Sequence, residues 1–202
     1  MEQVKVLPRK ARSKAKFNMR ENFTYRLIDK NGNIKKIFQL NKVGQYLLKL
    51  GFIKPLSSQN LLHFLGLGYF STEMRMANLI TDTGRAATAS RLNGSGGEAA
   101  FTYLEIGTGT TAAAVGNTAL VTPITTGGGA RAAATVSRVT TDTTNDTARL
   151  VYTWTFSSSF AVTEAGAFNA ASAGTMLNRQ VFTAVNVLSG DSLQLTVDID
   201  VD

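Results

Sequence analysis

The sequence predicts a mainly β protein. An antiparallel β-sandwich forms its C-terminal domain, preceded by an extended basic arm, a short hairpin and short helices. Three observations lead there. From Ala99 onward, apolar and polar residues alternate with a period of two in several segments. Turns containing Gly and Ser, such as Asp142–Asp146 and Ser189-Gly190-Asp191, separate them at short intervals. Charge also divides the chain. Residues 1–54 carry ten Lys and four Arg against Glu2, Glu21 and Asp29, a formal +11. Residues 55–202 carry seven Arg, no Lys and eleven acids, a formal −4. That asymmetry predicts a basic region that engages a partner.

Residues 1–20 are polar and basic with little apolar periodicity, which predicts an arm ordered by what it binds. Its candidate contact residues are Arg9, Lys10, Arg12, Lys14, Lys16 and Arg20, with Lys35 and Lys36 further on. Phe23, Tyr25 and Leu27 alternate with polar residues, and a second run follows at Ile34–Phe38. Between them Asp29-Lys30-Asn31-Gly32-Asn33 is strong turn chemistry, so a hairpin is expected. An isolated hairpin is marginal in water. It is expected to lie either on its own C-terminal domain or on a neighbouring subunit.

Asn41 is placed to cap a helix running to Leu50, with Val43, Leu47, Leu48 and Leu50 as its apolar stripe and Gly51 just beyond. Ser57 or Ser58 caps a second, short helix carrying Leu61, Leu62, Phe64 and Leu65. Thr81 or Asp82 caps a third, Gly84 to Leu92, ended by Asn93-Gly94. Six strands are predicted after it: 101–106, 131–140, 147–156, 160–168, 176–188 and 192–201. In the last, Leu193, Leu195, Val197, Ile199 and Val201 alternate with Gln194, Thr196, Asp198 and Asp200, as in a sheet with one wet face. The domain division expected is a basic extended arm at 1–20, a partner-clamping hairpin and helices at 21–77, and a helix plus sandwich at 78–202.

Composition narrows the function classes. There is no Cys, which removes disulfides, thiolate metal sites and Cys nucleophiles together. No run of about 18 apolar residues is present, so no membrane-spanning helix is expected. The basic N-terminus lacks a following apolar stretch, so no secretory signal is expected.

The residues with chemical potential point mostly to structure. His63 is the one histidine, and no Gly-x-Ser-x-Gly elbow accompanies it, so a packing or hydrogen-bonding role is expected. Gly107-Thr108-Gly109 resembles part of a phosphate loop but has no following Lys, and reads as a strand-end turn. Asp198, Asp200 and Asp202 share one strand side, which alone does not supply the oxygen shell a calcium ion needs. Charges there discourage edge pairing. Glu164 falls in register with Phe160, Val162, Gly166 and Phe168, on the apolar face. A buried carboxylate must be paired or hydrogen-bonded. Arg131, Arg149, Arg179 or backbone N–H groups at a bulge near Gly166 are the candidate partners. A structural buried charge is expected, with no catalytic residue, no metal and no cofactor. Fourteen cationic side chains before residue 55 suit nucleic acid or an acidic protein surface, including that of a neighbouring copy. No nucleic-acid motif accompanies them, so protein is the expected target, with nucleic acid kept open for residues 1–20.

The order of segments resembles a known group. Asn78-Leu79-Ile80-Thr81-Asp82-Thr83-Gly84-Arg85 leads a helix; Tyr103-Leu104-Glu105-Ile106-Gly107-Thr108-Gly109-Thr110 gives a strand and turn; Asn117-Thr118-Ala119-Leu120 follows. Then come Val162–Asn169, Gly174–Leu177 and Leu188–Leu193. Together they resemble tailed-bacteriophage virion proteins of the tail-fibre or tail-collar attachment, minor tail and head-associated kinds, over roughly residues 78–201. The resemblance implies a non-enzymatic building block of the virion. Capsid decoration or cementing and tail or fibre attachment both stay open. The implied partners are other virion proteins, capsid or tail subunits, and further copies of itself in a homo-oligomer, with no membrane. The alternative is a receptor- or glycan-binding β-sandwich module. Such modules present exposed aromatics, whereas the aromatics here are expected mostly on buried faces.

Overall fold

The computed structural model describes residues 19–201. Alternation carries the chain into β1 (Met19–Ile28), where Glu21, Phe23, Tyr25 and Leu27 are buried in turn. Asp29 closes the turn: its Oδ1 accepts from the backbone N–H of Asn31 and Asn33, both at 2.8 Å. The return run then breaks at Lys36 into β2 (Ile34–Lys35) and β3 (Ile37–Leu40). Asn41 caps α1 (Lys42–Lys49), its side chain accepting from Gly44 N–H at 2.9 Å. Ser58 caps α2 (Gln59–Phe64). Three short strands follow: β4 (Gly68–Ser71), β5 (Met74–Ala77) and β6 (Leu79–Ile80).

Thr81 caps α3 (Asp82–Asn93), which ends on Gly94 in the left-handed region. Gly84 costs helix propensity, yet a Cβ there would stand 2.2 Å from the Leu177 carbonyl oxygen. The glycine lets α3 lie directly on the sheet. The remaining strands are β7 (Tyr103–Gly107), β8 (Ala132–Ala133), β9 (Thr135–Val139), β10 (Thr147–Thr155), β11 (Phe160–Phe168), β12 (Met176–Val187) and β13 (Ser192–Val201).

The protein is mainly β, built from antiparallel sheets with a few short helices, consistent with a β-sandwich. One sheet runs β2-β1-β13-β10-β9, with β5 also on β1; the other runs β6-β12-β11-β7-β8. Their inner faces meet in one core that includes Phe23, Tyr25, Trp154, Val162, Phe182 and Leu195. A smaller core of Phe38, Leu40, Ile53 and Leu62 lies among β3, β4, α1 and α2.

This architecture corrects the expected division at residue 78. β1 pairs β13 along its whole length, Met19 opposite Val201 and Ile28 opposite Ser192. Phe23, Tyr25, Leu27, Met74 and Met76 belong to the same core as the C-terminal strands. Ten consecutive ladder positions and a row of buried side chains tie β1 to β13 and its core. The hairpin therefore lies on its own C-terminal domain. Its expected second strand also loses strict alternation, because Ile37 and Phe38 are both buried.

Candidate functional site

The buried ionic site lies where β11 and β12 meet the loop after β7. Glu164 and Arg179 are both fully buried. Arg179 Nε and Nη2 donate to Glu164 Oε2 at 2.9 and 2.7 Å. Oε2 also accepts from Val121 N–H, and Oε1 accepts from Gly109 and Thr122 N–H at 3.1 and 2.7 Å. The other Arg179 donors reach the Thr111 and Ala112 carbonyls and Asn117 Oδ1. Thr163 Oγ1 adds a bond to the Gly109 carbonyl.

The Gly-Thr-Gly run thus binds an anion supplied by the chain itself. A Cβ on Gly107 or Gly109 would lie 2.6 or 2.4 Å from Glu164 Oε1, so only glycine admits the carboxylate. Of the partners read from sequence, Arg179 is the one used. Arg149 instead pairs Asp198 at 2.6 Å, and Arg131 pairs Glu105 at 2.9 Å while covering the Phe168 ring. The three backbone donors come from residues 109–122, which no side-chain pattern could announce. With five donors on it and no exposure, the carboxylate holds the loop of residues 109–122 in place.

A second polar cluster lies one residue along β12, at Asn178. Glu21 Oε2 accepts from Asn178 Nδ2 at 2.9 Å, while Oε1 has no partner. Burial pushes the Glu21 carboxyl up to about 7, against the opposing pull of the Asn178 and Asn78 amides. Tyr25 is also buried with its hydroxyl unpartnered, and burial raises that hydroxyl's pKa.

The candidate contact residues separate on the structure. Arg9, Lys10, Arg12, Lys14 and Lys16 lie outside the described residues. Arg20 lies on β1 opposite Asp200. Lys35 is spent within the chain, 2.8 Å from the buried Asp191 carboxylate. Lys36 is exposed. His63 Nδ1 donates to the Gly68 carbonyl at 3.0 Å, and its ring meets Phe70 edge-on. Asp198 and Asp200 are bound to Arg149 and Thr147, and Asp202 lies outside the described residues. Among the described residues no group of three or more His, Cys, Asp or Glu is placed to hold a metal, and no helix is long and apolar enough to cross a membrane.

A surface that sequence reasoning missed lies on the module from β3 to β4. In α1, Leu47 and Leu48 turn inward, whereas Val43, Tyr46 and Leu50 form a second stripe facing solvent. Phe52 is 77% exposed, and Leu56, four residues on, is exposed as well. In α2 only Leu62 is buried; Leu61, Phe64 and Leu65 face out, Phe64 at 84%. Tyr69 and Phe70 on β4 are exposed as well. The expectation that aromatics fall mostly on buried faces holds outside this module: among the described residues the five exposed aromatics all lie between residues 46 and 70. The available signal was an excess of apolar residues, more than one inward stripe can use. Between Lys30 and Thr72 the chain has six Lys and no acid. Two clefts at its foot, about 350 and 280 Å³, run along Ala184 and Asn186 of β12.

Comparison with protein-family models, curated proteins and solved structures finds no match to this chain.

Proposed function

We propose that this chain is a non-enzymatic structural component of a tailed-bacteriophage virion. It anchors to neighbouring subunits through its basic N-terminal region, as a capsid decoration or cement protein or as a tail or fibre-attachment protein. The observation that carries this reading is the acid-free module of residues 30–72, which presents exposed apolar side chains and exposed lysines and is hydrogen-bonded to β12 of the sandwich. An apolar face of that size on a single chain marks an interaction surface. The motif order over residues 78–201 supports a virion setting, and the buried Glu164–Arg179 pair is committed to holding a loop.

The test is mass spectrometry of particles purified away from unassembled protein. The chain is expected at a fixed, repeated copy number per particle. Its absence from such particles refutes the reading. Deletion of residues 1–18, which leaves β1 intact, is expected to lower incorporation; normal occupancy would refute the arm's part in anchoring.

A glycan-binding module remains the competing reading, because Tyr46, Phe52, Phe64 and Tyr69 offer rings for stacking. Saturable binding to a defined glycan, lost in Tyr46→Ala and Tyr69→Ala, would replace the virion reading.

A further inference from the structure

We propose that the outer face of the β3–β4 module docks a different protein, one whose contact surface is apolar at its centre and acidic at its rim. This deepens the reading above by naming the surface and the chemistry that meets it, and it rests on that reading in taking the occupant to be another subunit.

Area is the first argument. Ten large apolar side chains of the module are 38–84% exposed. Tyr69 and Phe70 are successive on β4 and project to opposite sides, so without Tyr69 the rest, at roughly 150–200 Å² per side chain, offer about 900 Å² of apolar surface. A standard interface needs about 800 Å² per partner, and the largest patch on an ordinary monomer is about 300–600 Å².

Charge is the second. Lys36, Lys42, Lys49 and Lys54 are all exposed around these side chains, and the module supplies no acid of its own. Complementarity therefore asks for carboxylates on the occupant's rim.

A second copy does not meet that need. A two-fold contact through this face would set lysines against lysines. A head-to-tail contact would need free acids on the sandwich. Among the described residues these are already committed: Asp191 to Lys35, Glu105 to Arg131, Asp198 to Arg149. Asp146 is bound by the backbone of residues 141–143, Glu73 pairs Arg26 and Arg75, and Glu98 accepts from Ser90; the acids left exposed, Asp142 and Asp82 with its Arg85 neighbour at 3.7 Å, are too few to match the lysines of the module. Shape separates a protein from a lipid surface. The clefts beside Leu56, Gln59 and Phe70 are concave and of side-chain size, which suits protruding residues of a folded partner.

The experiment uses the full chain and a fluorescein-labelled helical peptide of about twenty residues, Leu on one face and Glu on the other. Its counterpart carries Lys in place of Glu. Anisotropy is expected to show binding of the Glu peptide, weakening several-fold between about 50 and 300 mM salt, and little binding of the Lys peptide. Phe52→Ser with Phe64→Ser, both on largely exposed side chains, should weaken it about tenfold with an unchanged melting curve. Lys42→Glu with Lys49→Glu should move the preference toward the Lys peptide. Equal affinity for both peptides, or for neither, overturns the proposal. So does stronger binding to equimolar phosphatidylcholine–phosphatidylglycerol vesicles, or self-association in sedimentation that the Phe pair abolishes. Failure here with the chain still present in purified particles leaves the virion reading standing; absence from particles with the peptide preference intact does the reverse.

Discussion

Replacing Glu21 with glutamine probes the polar cluster at Asn178. Glu21 is 5% exposed, its Oε2 is held by the Asn178 amide, and its Oε1 has no partner. Burial raises its carboxyl from an ordinary 4.5 to about 7. The folded chain thus grips this proton more tightly than the unfolded chain does. Below pH 4.5 both states are protonated and the site costs nothing extra. As pH rises from there toward 7, only the unfolded state gains by ionising, so stability falls. Above that window the loss is complete. The gap of about 2.5 pH units corresponds to on the order of 3 kcal/mol. Glutamine keeps an acceptor oxygen for Asn178 and cannot ionise. Glu21→Gln should therefore match the parent near pH 4.5 and exceed it by about 2–3 kcal/mol at pH 8. Trp154, the single tryptophan and 1% exposed, reports urea unfolding at each pH. Taking the difference between the two proteins cancels the other titrating groups. A difference that stays constant across this range would refute the account, since it would mean that the folded carboxylate is solvated.

Other substitutions test other parts of the fold by the same unfolding assay. Tyr25→Phe removes a buried hydroxyl with no partner and keeps the ring against Phe182, so it should be neutral or stabilising by about 1 kcal/mol; a loss above that size would reveal a partner for the hydroxyl. Arg179→Met leaves the Glu164 carboxylate buried without its counter-ion and should cost about 3–5 kcal/mol. Gly109→Ala drives a methyl into Glu164 Oε1 and should cost about 2–4 kcal/mol, with protease sensitivity appearing first between residues 108 and 122.

Local pattern made some elements legible and left others dark. Residues 160–168 and 192–201 form strands with the predicted bounds, because period-two alternation and flanking turns are encoded within each segment. Asn41, Ser58 and Thr81 cap helices because a cap is a contact over three residues. The partner of β1 was not legible: its alternation predicts a strand, but the pairing of Met19 with Val201 has no local signature. β4, β5 and β6 were missed because two to four residues are too few for a period to register. At the site, Glu164 is buried as expected but not through the expected register: an irregularity between Val162 and Glu164 puts Val162, Ala165 and Ala167 in the main core and turns Glu164 to the loop of residues 109–122, and most of its donors are backbone N–H groups that any sequence carries.

The pairing of β1 with β13 has a consequence for biosynthesis. Phe23, Tyr25 and Leu27 emerge early from the ribosome, yet the strand that covers one edge of theirs arrives some 170 residues later. Until Ser192–Val201 is made, the nascent polypeptide carries an unfinished sheet, a sticky template that chaperones must shield. Fragments stopping short of Ser192 should accumulate as inclusion bodies, and Met19 and Val201 mark a shared pole where a short peptide bridge could reconnect the chain as a circular permutant.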